Sequence, residues 1–292
     1  MKRSEFLKTT FAGLIAMSSL SELRKLSEMF AKQETKMPVY FVGHGNPMNA
    51  LEQNEFTKNW QNIGKSIPKP KAILCISAHW ETKGTFVTAM EKPKTIHDFG
   101  GFPKELQEFQ YPAPGSLAFA KETQKAITSV EVGLDHDWGL DHGCWSIITH
   151  MFPKADVPVL QLSLDYTKPP QWHYQLAKEL AILRTKGVLI LGSGNMVHNL
   201  GMASWGMKNT GFDWAIEANE TFKKLIKAEE HAKLAAYKEL GKAVQLSVPS
   251  PDHYLPLLYT LGLKEKNEQV SFFNDKAVLG AFTMTSVKIS AT

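Results

Sequence analysis

Three apolar runs of strand length along this chain end in short turns that carry a histidine, and a proline-stiffened turn later carries a fourth. The first run is Val39-Tyr40-Phe41-Val42-Gly43-His44-Gly45-Asn46-Pro47. β-Branched and aromatic residues closed by Gly and Pro read as a buried strand that delivers one side chain, His44, to its C-terminal end. Lys71 to Trp80 repeats the arrangement around His79, and Gly187 to Gly192 empties into Ser193-Gly194-Asn195-Met196-Val197-His198-Asn199. The turn is Val248-Pro249-Ser250-Pro251-Asp252-His253-Tyr254. In open α/β sheets ligands collect beyond the carboxyl ends of the strands, so the pattern predicts four imidazoles gathered at one edge.

Helical segments alternate with these runs: Asn54 to Ile63, Ser116 to about Ile127, Gly143 to Met151, Gln171 to Leu183, and about Asp213 to Leu240. Thr85 to Ala89 reads as a third strand, Val157 to Leu162 as a further buried one, and Val270 to Phe273 and Ala281 to Ile289 as strands that close the chain. The alternation predicts an α/β fold with a mostly parallel central sheet flanked by helices. About 35 residues separate His44 from His79, one strand–helix–strand crossover, which puts their strands side by side. A long loop with Thr95 to Pro103 and Tyr111 to Gly115 is rich in aromatic residues and reads as a wall over the site.

With 292 residues, 43% hydrophobic and 21% charged, the chain suits one large domain with an appended piece. Its net charge of +4 is dispersed, which argues against a nucleic-acid partner. No run reaches the roughly 18 apolar residues of a membrane span. The two cysteines, Cys75 and Cys144, cannot form a disulfide framework and read as small buried residues. Cys144 is not read as a nucleophile for His142, because helix positions two apart do not face each other.

Residues 1–36 read as an N-terminal extension. Lys2-Arg3-Ser4-Glu5-Phe6-Leu7-Lys8 before a mildly apolar segment resembles a twin-arginine export signal, with Lys2 in place of the first arginine. The competing reading is an amphipathic helix running through Leu26 to a polar linker, Lys32 to Lys36. The first reading implies the periplasm and the second the cytoplasm; both stay open. The globular domain begins near Met37 and covers 37–292.

Of ten histidines, His136, His150, His173 and His231 lack a glycine-rich setting and read as hydrogen-bonded surface or core residues. His44, His79, His198 and His253 form the candidate metal set. Imidazole suits zinc and iron, and three protein ligands with open positions make a catalytic rather than a structural site. Such an ion either activates water for hydrolysis or, as ferrous iron, binds a diol and dioxygen together.

The elements Gly43-His44-Gly45-Asn46-Pro47-Met48, Ser77-Ala78-His79-Trp80, Ile96-His97-Asp98-Phe99-Gly100-Gly101-Phe102-Pro103, Tyr111-Pro112-Ala113-Pro114-Gly115, Asp141-His142-Gly143, Gly194 to Asn199 and Asp252-His253-Tyr254-Leu255-Pro256-Leu257 occur in one order. Together they resemble the 4,5-DOPA extradiol dioxygenase family of the LigB-like class III ring-cleavage dioxygenases. The resemblance runs from about Met37 to the C-terminus and makes 37–292 a single LigB-like catalytic domain.

It implies a non-haem Fe(II) enzyme, often isolated with Zn(II), that inserts both atoms of O2 into a catechol such as DOPA and opens the ring beside its hydroxyls. His44, His79, His198 and His253 match the histidines around the metal. More distant members use two histidines and a glutamate; His253 stands where that carboxylate would be. Which three histidines are ligands, and whether His198 or His253 is instead an acid/base, therefore stays open. His142 and His198 are the candidates to move the catechol protons. His97, Asp98 and Phe99 are the candidates for substrate binding. A zinc hydrolase on the same histidines and a non-catalytic metal-binding member of the fold are the alternatives.

Overall fold

The computed structural model describes residues 21–291 except Leu23 and Leu26. Six strands form the central sheet: β1 (Val39–Gly43), β2 (Ala72–Ser77), β3 (Val159–Gln161), β4 (Val188–Gly194), β5 (Glu268–Phe273) and β6 (Ser286–Ala291), in the order β3-β2-β4-β1-β6-β5. β3, β2, β4 and β1 pair in parallel, whereas β6 pairs antiparallel with both β1 and β5. The fold is therefore α/β with a mainly parallel sheet.

Each central strand is buried on both faces, which is why it reads as a continuous apolar run. Val39 and Phe41 point into one layer, and Tyr40 and Val42 into the other. Helices α1 (Glu55–Ser66) and α3 (His142–Met151) cover the second layer, packing Trp60, Trp145 and Ile148 there. The first layer is covered by α2 (Leu117–Ala126), α4 (Pro170–Ala177), α5 (Asp213–Lys227) and α6 (Leu255–Gly262), through Phe119, Leu176, Phe222 and Leu257.

Three local expectations are corrected. β1 and β2 are not neighbours, because β4 lies between them with register pairs Gly43↔Gly194 and Ser77↔Ser193. Its run Val188-Leu189-Ile190-Leu191, buried on both faces, suits a central position. Thr85–Thr88 does not join the central sheet but pairs in parallel with Val132–Asp135. The helical stretch from Asp213 breaks after Lys227, where Glu229 adopts a left-handed φ of 56°, and resumes at His231–Ala235.

The segment before β1 is tied to the edge at which the parallel strands begin. Phe30 meets Phe119 edge-on at 5.2 Å, Lys71 Nζ donates to the Met29 carbonyl at 2.9 Å, and Gln33 N donates to Thr185 O at 2.7 Å. The twin-arginine reading falls on residues 1–20, outside those described. Among the described residues no helix is long and apolar enough to cross a membrane.

Candidate metal centre

His44 directly follows β1, His79 lies two residues past β2, and His198 lies four past β4. His253 is drawn to the same edge by the backbone: Asn195 N, just beyond β4, donates to His253 O at 2.9 Å. A Cβ on Gly194 would sit 2.2 Å from that carbonyl, and one on Gly43 2.8 Å from the Met284 backbone, so these strand ends must be glycine. The four imidazoles thus converge at the carboxyl ends of β1, β2 and β4.

Side-chain nitrogens of His44, His79 and His253 lie within 4.8 Å of one another. Their ring centroids are 5.0 Å apart for His44 and His79, 5.2 Å for His44 and His253, and 5.0 Å for His79 and His253. His198 is outside that group; its ring stacks flat on His253 at 3.5 Å and 5°. His142 approaches from the other flank, 4.0 Å from the His79 ring.

The partners of the Nδ1 atoms bear on the tautomers. Ser193 Oγ donates its single proton to Gly143 O at 2.6 Å, so towards His44 Nδ1, 2.9 Å away, it accepts. His79 Nδ1 is 3.2 Å from Asp98 Oδ2, and His253 Nδ1 is 2.5 Å from Asp252 Oδ2. His44 and His253 therefore carry their proton on Nδ1 and an unshared pair on Nε2, and the Asp98 carboxylate beside His79 Nδ1 favours the same tautomer there. Yet Nε2 of His44 and Nε2 of His79 are only 3.2 Å apart. Two lone pairs at that distance repel unless a cation lies between them, and ligands about 2.0–2.2 Å from one ion have about this separation. The donor set fits a divalent metal, with each imidazole oriented by an outer acceptor.

The electrostatics agree with neutral imidazoles. Burial, reinforced by the surrounding histidines, pulls His44 and His79 well below the usual histidine range. His198 is lowered to about 3, first by burial and then by His253. Burial would raise Asp98, but the hydrogen bonds and charge of His142, together with His79, hold it down at about 2. Burial opposes ionisation of Asp252 as well, but its bond to His253 outweighs that and keeps it below the ordinary carboxylate range.

The loop containing Asp98 folds back over β2. Asp98 belongs to an open stretch of chain, but its side chain is only 16% exposed. Oδ1 accepts from His142 N, and Oδ2 from His142 Nδ1, both at 3.0 Å. Its carboxylate is thus turned onto His79 and His142 rather than into open space. His97 Nε2 is 2.9 Å from the carbonyl of Phe109, and its ring is 5.8 Å from that of Trp145. Phe99 stands edge-on to His142 at 5.5 Å and to Phe102 at 5.2 Å, forming an aromatic wall beside the cluster.

The remaining histidines are partnered elsewhere or exposed. His150 bonds Asn49 O, His173 meets Tyr259 Oη, and His231 meets Tyr174 Oη, whereas His136 is exposed. Cys75 and Cys144 are free and fully buried. The sequence reading missed Ser193 and Asp252 as outer partners. Their signals are a hydroxyl between two strand-end glycines and a carboxylate next to a turn histidine.

The family described as the catalytic LigB subunit of aromatic ring-opening dioxygenase matches residues 38–284. The "4,5-DOPA dioxygenase extradiol" of Escherichia coli (strain K12) is 44% identical over 260 residues, covering 87% of this chain and 95% of that protein. The protein of the same name from Beta vulgaris is 34% identical, covering 87% and 96%. A crystal structure of an uncharacterized E. coli K12 protein has a TM-score of 0.76 at 40% identity, covering 87% of this chain and 99% of that one. The match extends from β1 past the turn of His253 and so includes every histidine of the cluster; this chain belongs to the LigB family of aromatic ring-opening dioxygenases.

Proposed function

We propose that this protein is an extradiol dioxygenase that opens the ring of a catechol, with Fe(II) held by His44, His79 and His253. The observation that carries this reading is the convergence of His44, His79 and His253, with Nε2 of His44 and Nε2 of His79 3.2 Å apart, in a chain of the ring-opening dioxygenase family. Bound there, ferrous iron would chelate the diol and supply the one-electron chemistry that couples it to dioxygen. The name shared by the E. coli and Beta vulgaris relatives makes DOPA the first substrate to test.

The chain's own residues handle the protons. His198, stacked flat on His253, stands on that side to take a proton from one catechol hydroxyl. His142 faces the opposite flank with Nδ1 bound to the ionised Asp98, which orients its ring and leaves Nε2 to take up the other proton. One flanking imidazole per hydroxyl allows each proton to be taken up as the diol binds and returned as the ring opens. Phe99 and Phe102 present ring faces and edges to an aromatic substrate and exclude water from that side.

The stacking of His198 on His253 supports assigning His253 to the metal and His198 to proton transfer, since a ring lying flat on a ligand does not share that ligand's ion through its own nitrogens. Assay of DOPA with and without oxygen, and with and without added Fe(II), tests the reading. Oxygen-dependent formation of a yellow ring-opened product is expected. Absence of turnover with any catechol in iron-loaded protein would overturn it.

A further inference from the structure

Asp141 is fully buried and touches none of the converging imidazole nitrogens, yet its bonds reach the segments that carry them. Oδ1 accepts from Ser77 Oγ at 2.7 Å and from Cys144 N at 3.1 Å. Oδ2 accepts from Gln161 Nε2 at 2.6 Å, and Asp141 N returns a bond to Gln161 Oε1 at 2.9 Å. The carboxylate thereby caps α3 and ties its first turn to the ends of β2 and β3.

That turn meets the rest of the centre at three further points. Ser77 Oγ accepts from His79 N at 3.3 Å, passing the constraint from Asp141 to the backbone of His79. His142, the next residue, is fixed to Asp98. The carbonyl of Gly143 takes the Ser193 proton that orients His44. The approach is close: a Cβ on Gly143 would lie 2.6 Å from Ser77 Oγ and 2.9 Å from His79 Cδ2. A capping bond that merely stabilised a helix would not need a buried carboxylate joined to two strand ends.

We infer that Asp141 is a positioning residue: its carboxylate sets the first turn of α3, and through it the places of His142, His79 and His44. The inference builds on the proposed metal chemistry, but its geometric part stands without turnover. Asp141→Asn removes one acceptor and sets its amide against the Gln161 amide. The double variant Asp141→Asn/Gln161→Glu reverses the polarity of that pair and restores every bond. In it the new amide at position 141 donates to the new carboxylate at position 161 and still accepts from Ser77 and Cys144.

The test compares Co(II)-substituted and Fe(II)-loaded wild type, single variant and double variant. The expected result is a shifted Co(II) visible spectrum and a kcat about 10- to 100-fold lower in the single variant, with smaller change in KM. Both return towards wild type in the double variant. An unchanged spectrum and kcat in a folded single variant would overturn the inference. So would a double variant, folded by its thermal midpoint, that recovers neither. If wild type turns over no catechol but the spectra shift and recover as described, the proposed function fails and the positioning role stands.

Discussion

At the edge where the parallel strands begin, Arg184 and Glu268 form a sheltered ion pair; at the opposite edge, five imidazoles crowd together. Both clusters bury polar groups in the same sheet, but only the first satisfies itself. Arg184 Nε donates to Met37 O at 2.9 Å, Nη1 to Leu263 O at 2.8 Å and to Glu268 Oε2 at 2.9 Å, and Nη2 to Glu268 Oε1. Charge meets counter-charge, and each of these nitrogens meets an acceptor. The histidine cluster satisfies only its outer rim, through Ser193, Asp98 and Asp252, and leaves Nε2 atoms facing one another. A structural cluster closes on itself, whereas this one is arranged so that a cation could complete it.

The largest effect should come from removing a ligand. His79→Ala is expected to abolish metal retention by a folded chain, measured as iron per protein after desalting; full iron occupancy would remove His79 from the ligand set. His142→Ala should retain the metal but lower kcat by about 10²- to 10⁴-fold, the usual contribution of a positioned acid/base. An unchanged kcat would exclude His142 from proton transfer.

At the other edge, Arg184→Met should destabilise the fold by about 3–5 kcal/mol in denaturant titration, because it leaves a buried carboxylate unpaired. The folded fraction should bind metal as wild type does. Loss of metal binding in that fraction would show that the two edges are not independent.

Acid should weigh on the buried histidines. His44, His79, His173 and His198 all have folded-state pKa values below the roughly 6.5 of an unfolded histidine, with His173 at about 4 and His198 at about 3. The unfolded chain therefore binds more protons as pH falls below about 6.5, and metal-free protein loses stability progressively from there towards about pH 3. At higher pH these groups are neutral in both states and contribute no slope. A thermal midpoint that is flat between about pH 7.5 and 5 would contradict this. The smallest effect is expected for Phe99→Leu, a several-fold rise in KM for the catechol at unchanged metal content.

Much of this was readable in the sequence because the parallel strands, buried on both faces, are plain apolar runs and their C-terminal turns carry glycine or proline. His44, His79 and His198 stood out for that reason and His253 for its proline-stiffened turn, and a helix opening at Gly143 was readable too. The strand order was not readable: β4 inserts between β1 and β2 through packing on both faces, and no local pattern encodes that. The outer partners were equally hidden. Asp98 reaches His142 across 44 residues and Ser193 reaches His44 across 149, contacts that exist only once loop and sheet are assembled. His198 looked equivalent to His253 in the sequence, and the assembled geometry distinguishes them: His253 joins the converging nitrogens while His198 lies flat against it.

Whether Nε2 of His44, His79 and His253 converge on one cation is tested most directly by a crystal structure of the chain loaded anaerobically with Fe(II), using anomalous scattering at the iron edge. A single peak is expected about 2.0–2.2 Å from those three nitrogens, with His198 and His142 uncoordinated. A peak coordinated by His198 in place of His253, or one bound away from these three rings, would contradict it.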